Sequence, residues 1–323
     1  MKAWMPAALL VLAPALAWPV AATAAERYPV KPVRIVVPFA PGGSNDLVAR
    51  VLAQRFTESW KQPVVIDNRP GGGSTIGIGI VTRATPDGYT LLVTSGGIAI
   101  NVSLYRLSFD PVKDLDPVAL LAQMPYLLAV NSSLPARTTQ EFINLAKSRP
   151  GKLAFSSSGA GTSSHLTMEM FKSAAKIDLL HVPYKGGAPA VNAVIGGEVQ
   201  ATFNVITGPL PHVRAGRLRA LAVSSAQRVE VAPELPTVSE SGVPGFEVIA
   251  WYNMFAPAGT PRAVIRQLNG EINSMLQEPE MRERFRKLGV TPRTSTPKEL
   301  GDYLKFEINR WAKLIKETGI KLR

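Results

Sequence analysis

The segment VRIVVPFAPGGSNDLVARVLAQRF, Val33 to Phe56, constrains the fold more than any other. It opens as a nearly unbroken apolar run, breaks at Pro41-Gly42-Gly43, and resumes with apolar residues at helical spacing. A run that is apolar on both faces marks a strand covered on both sides, as in parallel sheets flanked by helices. Leu47, Val51 and Leu52 then share one face of a helix over Ser44–Glu58. The alternation continues with a strand at Val64–Asp67, a helix over Ser74–Ala84 and a strand at Tyr89–Thr94. Short strands separated by helices predict an α/β chain built on a parallel sheet.

Near Val118 the pattern changes. Strands at Val118–Gln123 and Tyr126–Val130 stand back to back around Met124-Pro125 and read as a crossing between domains. A second α/β series follows. Thr138 or Thr139 caps a helix holding Phe142, Leu145 and Ala146, with Glu141 in its first turn. Strands are expected at Lys152–Ser156, Leu179–Val182, Val199–Asn204 and Leu218–Val223, with helices over Ser163–Ala175 and Ala188–Ile195. Val248–Phe255 reads as the return crossing, and helices around Val264–Leu276 and Leu300–Ile315 finish the chain. A length of 323 residues exceeds what one core usually serves, so two domains are expected. There is an echo between the halves: VVPFAPGGSNDLVAR and LAFSSSGAGTSSHLTMEMF both run from strand through a small-residue loop into a helix.

The first residues concern location. Lys2 precedes an apolar stretch from Met5 to Ala17, and small residues end at Ala22-Thr23-Ala24-Ala25. That layout predicts a signal peptide over residues 1–25, cut after Ala24 or Ala25, and an exported chain. Pro6, Pro14 and Pro19 in so short an apolar run argue against a membrane anchor. The chain has no cysteine, so neither disulfides nor thiol chemistry is available. Its net charge of +12 admits an acidic ligand as well as simple solubility. The basic residues are dispersed without interleaved aromatics, and no nucleic acid partner is expected.

Several chemistries lack their residues. Gly42-Gly43-Ser44-Asn45 does not match G-x-G-x-x-G, and Gly71-Gly72-Gly73 with Gly77 has the wrong final spacing. There is no G-x-x-x-x-G-K-[ST] run and no G-x-S-x-G elbow. Ser156, Ser157 and Ser158 lie near His165, yet a catalytic triad is defined by geometry rather than by nearness in sequence. His165, His181 and His212 are far apart and form no ligand pair, so neither a metal nor a cofactor is expected. What remains is anion binding by backbone. The first N–H groups of a helix lack intrahelical partners, and its dipole adds about half a positive charge. Glycines before the helix let a ligand approach the main chain, and Ser44, Thr162 or Ser163 can cap or donate a hydroxyl. Asp46, in the first helical turn, reads as an acceptor of local N–H bonds.

These residues resemble a family: the exported solute receptors of tripartite tricarboxylate transporters, the Bug receptors. The matching blocks include YPVKPVRIVVPFAPGGSND, DNRPGGGSTIG, ATPDGYTLL, LSFDPVKDLDPVALLAQ, PGKLAFSSSGAGTSSHL, HVPYKGGAPAVNAVIGGEVQ and LPTVSESGVPGFEVIAWYNMFAPAGTP, in one order through the mature chain. The resemblance implies an α/β, two-lobed periplasmic binding-protein fold (type II-like) with a ligand cleft between lobes. It divides the chain into a first lobe over 26–124, a second over 125–247 and a return to the first over 248–323. It also implies a small organic acid ligand, whether di-, tri- or aromatic carboxylate, and membrane permease subunits as partners. In such receptors a loop from each lobe grips the ligand. Those loops map onto Phe39–Asp46, with Phe39, Gly42, Gly43, Ser44 and Asp46, and onto Ser156–His165, with Ser157, Gly161, Thr162 and His165. Ser95, Gly96 and Asn204 are the other cleft positions so implied. Two residues depart from the family pattern: Asn45 stands where Thr or Ser is common, and Asn204 where Asp is common.

The expectation is therefore a monomeric, non-catalytic periplasmic receptor for a carboxylate. A sensor subunit that presents the same acid to a signalling kinase, and an exported hydrolase using Ser157 and His165, are the alternatives.

Overall fold

The computed structural model describes Met1, residues 28–287 and residues 290–318. The expected signal peptide lies outside the described residues. The strands and helices of the first half are β1 (Val33–Val37), α1 (Ser44–Trp60), β2 (Val64–Asn68), α2 (Thr75–Thr82), β3 (Thr90–Ser95), α3 (Gly97–Leu104) and β4 (Leu115–Asn131). Next come α4 (Thr139–Ser148), β5 (Ala154–Ser157), α5 (Ser163–Ala175), β6 (Leu180–Pro183), α6 (Gly187–Ile195) and β7 (Ala201–Val205). The chain continues through α7 (Leu210–Arg214), β8 (Leu218–Val223), β9 (Ile249–Pro257), α8 (Arg262–Gln277), α9 (Pro279–Lys287), β10 (Thr291–Pro292) and α10 (Pro297–Thr318).

The strands follow the order β2-β1-β3-β9-β4-β7-β5-β6, with β8 and β10 also pairing β4. β1 runs parallel to both β2 and β3, and its Val33, Ile35, Val36 and Val37 are fully buried, as a strand covered on both faces requires. β5 likewise runs parallel to β6 and β7. The two parallel groups are joined by antiparallel pairs, because the chain crosses between them through β4 and returns through β9.

β4 is one strand of 17 residues, where the sequence predicts two. Pro125 explains the difference. Before it the strand pairs β9, with Met124 opposite Ala250; after it the strand pairs β7 and β8, from Tyr126 and Leu127 onward. Proline has no N–H to give a neighbour, and it stands opposite Ile249 in the last pair with β9, where the partner changes. Its carbonyl is used, accepting from the Ile206 N–H at 3.0 Å.

α3 was not legible as a helix. Its Gly97, Ile98, Ala99, Ile100 and Asn101 are all buried, so it shows no apolar stripe with a polar back. α5 and β8 have the bounds read from the sequence. α4 is capped as expected: Thr138 Oγ1 accepts from Glu141 N–H at 3.1 Å, while Glu141 Oε2 accepts from Arg137 N–H at 2.6 Å.

α2 packs very close to the end of β1, and Gly77 permits it. A Cβ at this position would meet Pro38 Cβ at 2.7 Å and Arg69 carbonyl oxygen at 2.9 Å. Alanine gains about 1 kcal/mol in helix propensity over glycine. Overpacking against rigid neighbours costs about 1–3 kcal/mol. Gly77→Ala should therefore lower the urea midpoint; a raised midpoint would show that the helix is free to move away.

Candidate functional site

Four helices begin beside one small cavity. α1 starts after Gly43, α3 after Gly96, α5 after Thr162 and α6 after Gly186, and none has a side-chain cap. α4 differs, with its start closed by Thr138 and Glu141. Uncapped starts leave backbone N–H groups without intrahelical partners and concentrate the positive ends of the helix dipoles.

The cavity between these starts has a volume of about 20 Å³, room for roughly one water-sized group. No Asp, Glu, Lys or Arg lines it among the described residues. The lining side chains are largely hydroxyls and carboxamides. Tyr252 donates its phenol proton to Ser44 Oγ at 2.7 Å, which leaves the Ser44 proton for another acceptor. Burial pushes the Tyr252 and Tyr126 phenols well up, so both stay protonated donors. Ser158, Thr162 and Ser164 form a hydroxyl network, with Ser158 Oγ 2.8 Å from Ser164 Oγ and 3.1 Å from Thr162 Oγ1. Asn45 Oδ1 and Ser163 Oγ are buried with no hydrogen-bond partner. Asn204, on β7, is 4% exposed and donates through Nδ2 to the Gly187 carbonyl at 3.1 Å.

Of the twelve residues singled out from the sequence, Phe39, Gly43, Ser44, Ser95, Thr162 and Asn204 line this cavity. The other six stand behind it. Gly42 carries the left-handed φ of +81° that turns the chain into α1, whereas Gly43 has an ordinary φ of −85°. Asp46 faces away from the cavity. Its carboxylate accepts from Arg50 Nε at 2.8 Å, Gly42 N–H at 3.0 Å and Asn68 Nδ2 at 3.1 Å. Burial opposes its ionisation, but these donors outweigh burial and hold the carboxyl below its usual range. Asp46 thus fixes the loop that presents Gly43 and Ser44. Gly96 admits close neighbours: a Cβ there would fall 2.6 Å from Trp251 Nε1 and 3.1 Å from Ser163 Oγ. Gly161 has φ +73°, and its N–H donates to His165 Nδ1 at 3.2 Å.

Ser157 pairs with His181, not with the nearby His165. The Ser157 Oγ to His181 Nε2 distance is 2.6 Å, and Ser157 is fully buried. His165 instead stacks on His181, with ring centroids 3.8 Å apart and 12° between planes. Burial, then the neighbouring His181 and Lys172, lower His165 to about 3; burial, then Lys172, lower His181 to about 4. Both imidazoles are neutral at neutral pH, and neither lines the cavity.

Asn45, Ser158 and Ser163, named in the sequence but not among the twelve, also line the cavity, as do Tyr126, Ser164, Gly187, Val205 and Tyr252, none of which was named as a site residue. Ser158, Ser163 and Ser164 lie inside the loop read as a grip, so the hydroxyl-rich run was the available signal. Tyr252 sits 208 residues from the Ser44 it touches, and no local pattern reports such a contact.

Contacts also cross the cleft. Ala40 N–H donates to the Lys185 carbonyl at 2.9 Å, and Tyr105 Oη donates to the Ala160 carbonyl at 2.7 Å. Beside the second bond, Gly73 meets the other side so closely that a Cβ would lie 2.2 Å from the Ala160 oxygen.

Comparison with known proteins follows the same lines. The family model described as "Tripartite tricarboxylate transporter family receptor" matches residues 48–320. Protein BugT of Bordetella pertussis (strain Tohama I) is 39% identical over 306 residues, covering 94% of each chain. Among solved structures, Rhodopseudomonas palustris Rpa4515 with adipate is 36% identical with a TM-score of 0.89, covering 91% of this chain and 99% of that one. MatC from the same organism, with bound malate, is 34% identical with a TM-score of 0.85, covering 89% of this chain and 100% of that one.

The stacked histidines set a pH dependence. Unfolded histidine takes a proton near pH 6.5, whereas these two stay neutral in the folded chain until pH about 4 and about 3. Below pH 6.5 the unfolded state therefore binds more protons, and stability falls as pH drops toward 4. Thermal melts should show this decline, and a His165→Gln, His181→Gln variant should be flatter over that window. An equal slope in both proteins would contradict the assignment.

Proposed function

The chain belongs to the receptor family of the tripartite tricarboxylate transporters, and from that premise we propose that it captures a small organic carboxylate in the periplasm and hands it to membrane permease subunits. It is a solute-binding receptor. The observation that carries the carboxylate reading is the set of uncapped helix starts around a cavity lined, among the described residues, by no Asp, Glu, Lys or Arg. An anion there is held by oriented N–H groups and hydroxyls, with no lysine or arginine. The relatives bound to adipate and malate support the same ligand class. The twelve residues divide accordingly: those lining the cavity contact the ligand, and Gly42, Asp46, Gly96, Ser157, Gly161 and His165 shape the loops that do.

A carboxylate of several carbons needs more than about 20 Å³, so the lobes must part to admit it and close around it. The partner change at Pro125 supports a lobe boundary near 124/125, with β9 carrying the return near 248. The receptor acts without catalysis, since Ser157 is buried and turned to His181 rather than to the cavity. It acts as a monomer with its leader removed.

The same lining indicates the ligand's charge. With no acidic side chain lining the cavity among the described residues, no carboxylate there neutralises an ammonium group, so simple acids are preferred over aspartate or glutamate. A thermal-shift screen of small organic acids tests the reading; ligand at 100 times its Kd adds about 2.7 kcal/mol to stability. Asn204→Asp tests the charge argument. Two like charges about 5 Å apart at an effective dielectric near 20 repel by roughly 3 kcal/mol, on the order of a hundredfold in affinity. The variant should lose the simple acid by that order, and equal affinity in a calorimetric titration would refute it.

A further inference from the structure

Away from the cleft, the first turns of α8 and α10 and the start of β4 enclose a groove of about 830 Å³. α8 contributes Arg262, Ile265 and Arg266; α10 contributes Lys298, Gly301, Asp302 and Lys305. Those spacings put each set on one helix face, turned toward the other. Pro117, Pro261, Ile265 and Pro297 add an apolar share to the lining. Both acids in the groove are already engaged. Asp116 Oδ2 accepts the Gly259 and Thr260 N–H groups at 2.9 and 3.2 Å, and Asp302 pairs with Lys298 at 2.5 Å. Arg262, Arg266 and Lys305 are exposed and have no ion partner among the described residues. Next to Lys305, Phe306 is 59% exposed and stacks on Tyr303 at 6.3 Å.

Three cations with no salt bridge among the described residues, around a partly apolar depression, match an occupant that is acidic and partly apolar. A flat anionic bilayer would meet the rim cations but not the floor between two helices. A small inorganic anion would leave the apolar floor unused. An extended protein segment uses all of them, and 830 Å³ is ample for several side chains. The position is also distinctive. Tyr252 lines the cleft cavity, while the groove adjoins the other end of β9 at Pro257, five residues on and about 17 Å away at the rise of a strand. A partner held there leaves the cleft clear.

We propose that this groove is the docking site for an acidic, partly apolar segment of the transporter's membrane subunits, an inference that rests on the transport reading above. The first test combines Arg262→Glu, Arg266→Glu and Lys305→Glu in the whole receptor, alongside the membrane subunits of its transporter. Cleft affinity for the carboxylate found by the stability screen should stay within about twofold, while uptake falls by at least about tenfold. A photocrosslinking residue in place of Phe306 should bond to a membrane subunit, and the triple variant should lose that adduct. Native uptake in the triple variant overturns the proposal, as do adducts found only with lipid or with a second receptor copy. Failure of the unmodified receptor to bind any carboxylate overturns the transport reading instead, and the crosslink still reports on the groove.

Discussion

A peptide N–H that meets no carbonyl is costly to bury, and four helices turn such groups toward the same small space. The rest of the structure holds that arrangement in place. A carboxylate satisfies these groups where another backbone segment could not, because its two oxygens accept several bonds at once. The helix dipoles favour the negative charge, and a buried site protects the interaction from salt. Placing a lysine there would add attraction. It would also bring a flexible, strongly hydrated cation that must be stripped of water at each closure.

Holding the starts in position takes two devices. Asp46, tied to Arg50, Gly42 and Asn68, locks the turn into α1 from behind. In the second lobe the stacked His165 and His181, with Ser157 on His181, brace the loop leading into α5. β4 and β9 then connect the lobes with continuous strands, Pro125 marking the place where one sheet gives way to the other. Across the cleft, the bonds from Ala40 and Tyr105 end on backbone carbonyls of the other lobe. Gly73 has room for no side chain against Ala160, so lobe approach there depends on a bare backbone.

Strands buried on both faces and helices with one apolar face were legible because burial imposes a local period; α5 and β8 keep the bounds read from the sequence. α3 was not legible, since its first five residues are all buried and give no alternation of apolar and polar faces. The loops around Gly43 and Thr162 could be picked out by their composition. Which of their residues face the cavity could not. Asp46 and Ser44 are two positions apart, yet one is turned to Arg50 and the other to Tyr252, and that choice belongs to tertiary packing. The pairing of Ser157 with His181 was hidden for the same reason: β5 and β6 lie side by side, which brings together residues 24 apart in sequence.

The central claim is that backbone N–H groups at helix starts, rather than basic side chains, hold the ligand's negative charge. Amide NMR of the isotope-labelled receptor, titrated with a dicarboxylate identified by screening, tests it directly. The N–H protons of Ser44, Asn45, Ser163, Ser164 and Gly187 should move downfield and exchange more slowly with solvent once the ligand is bound. Unmoved signals at these positions, with the perturbation centred on a lysine or arginine side chain, would contradict the account.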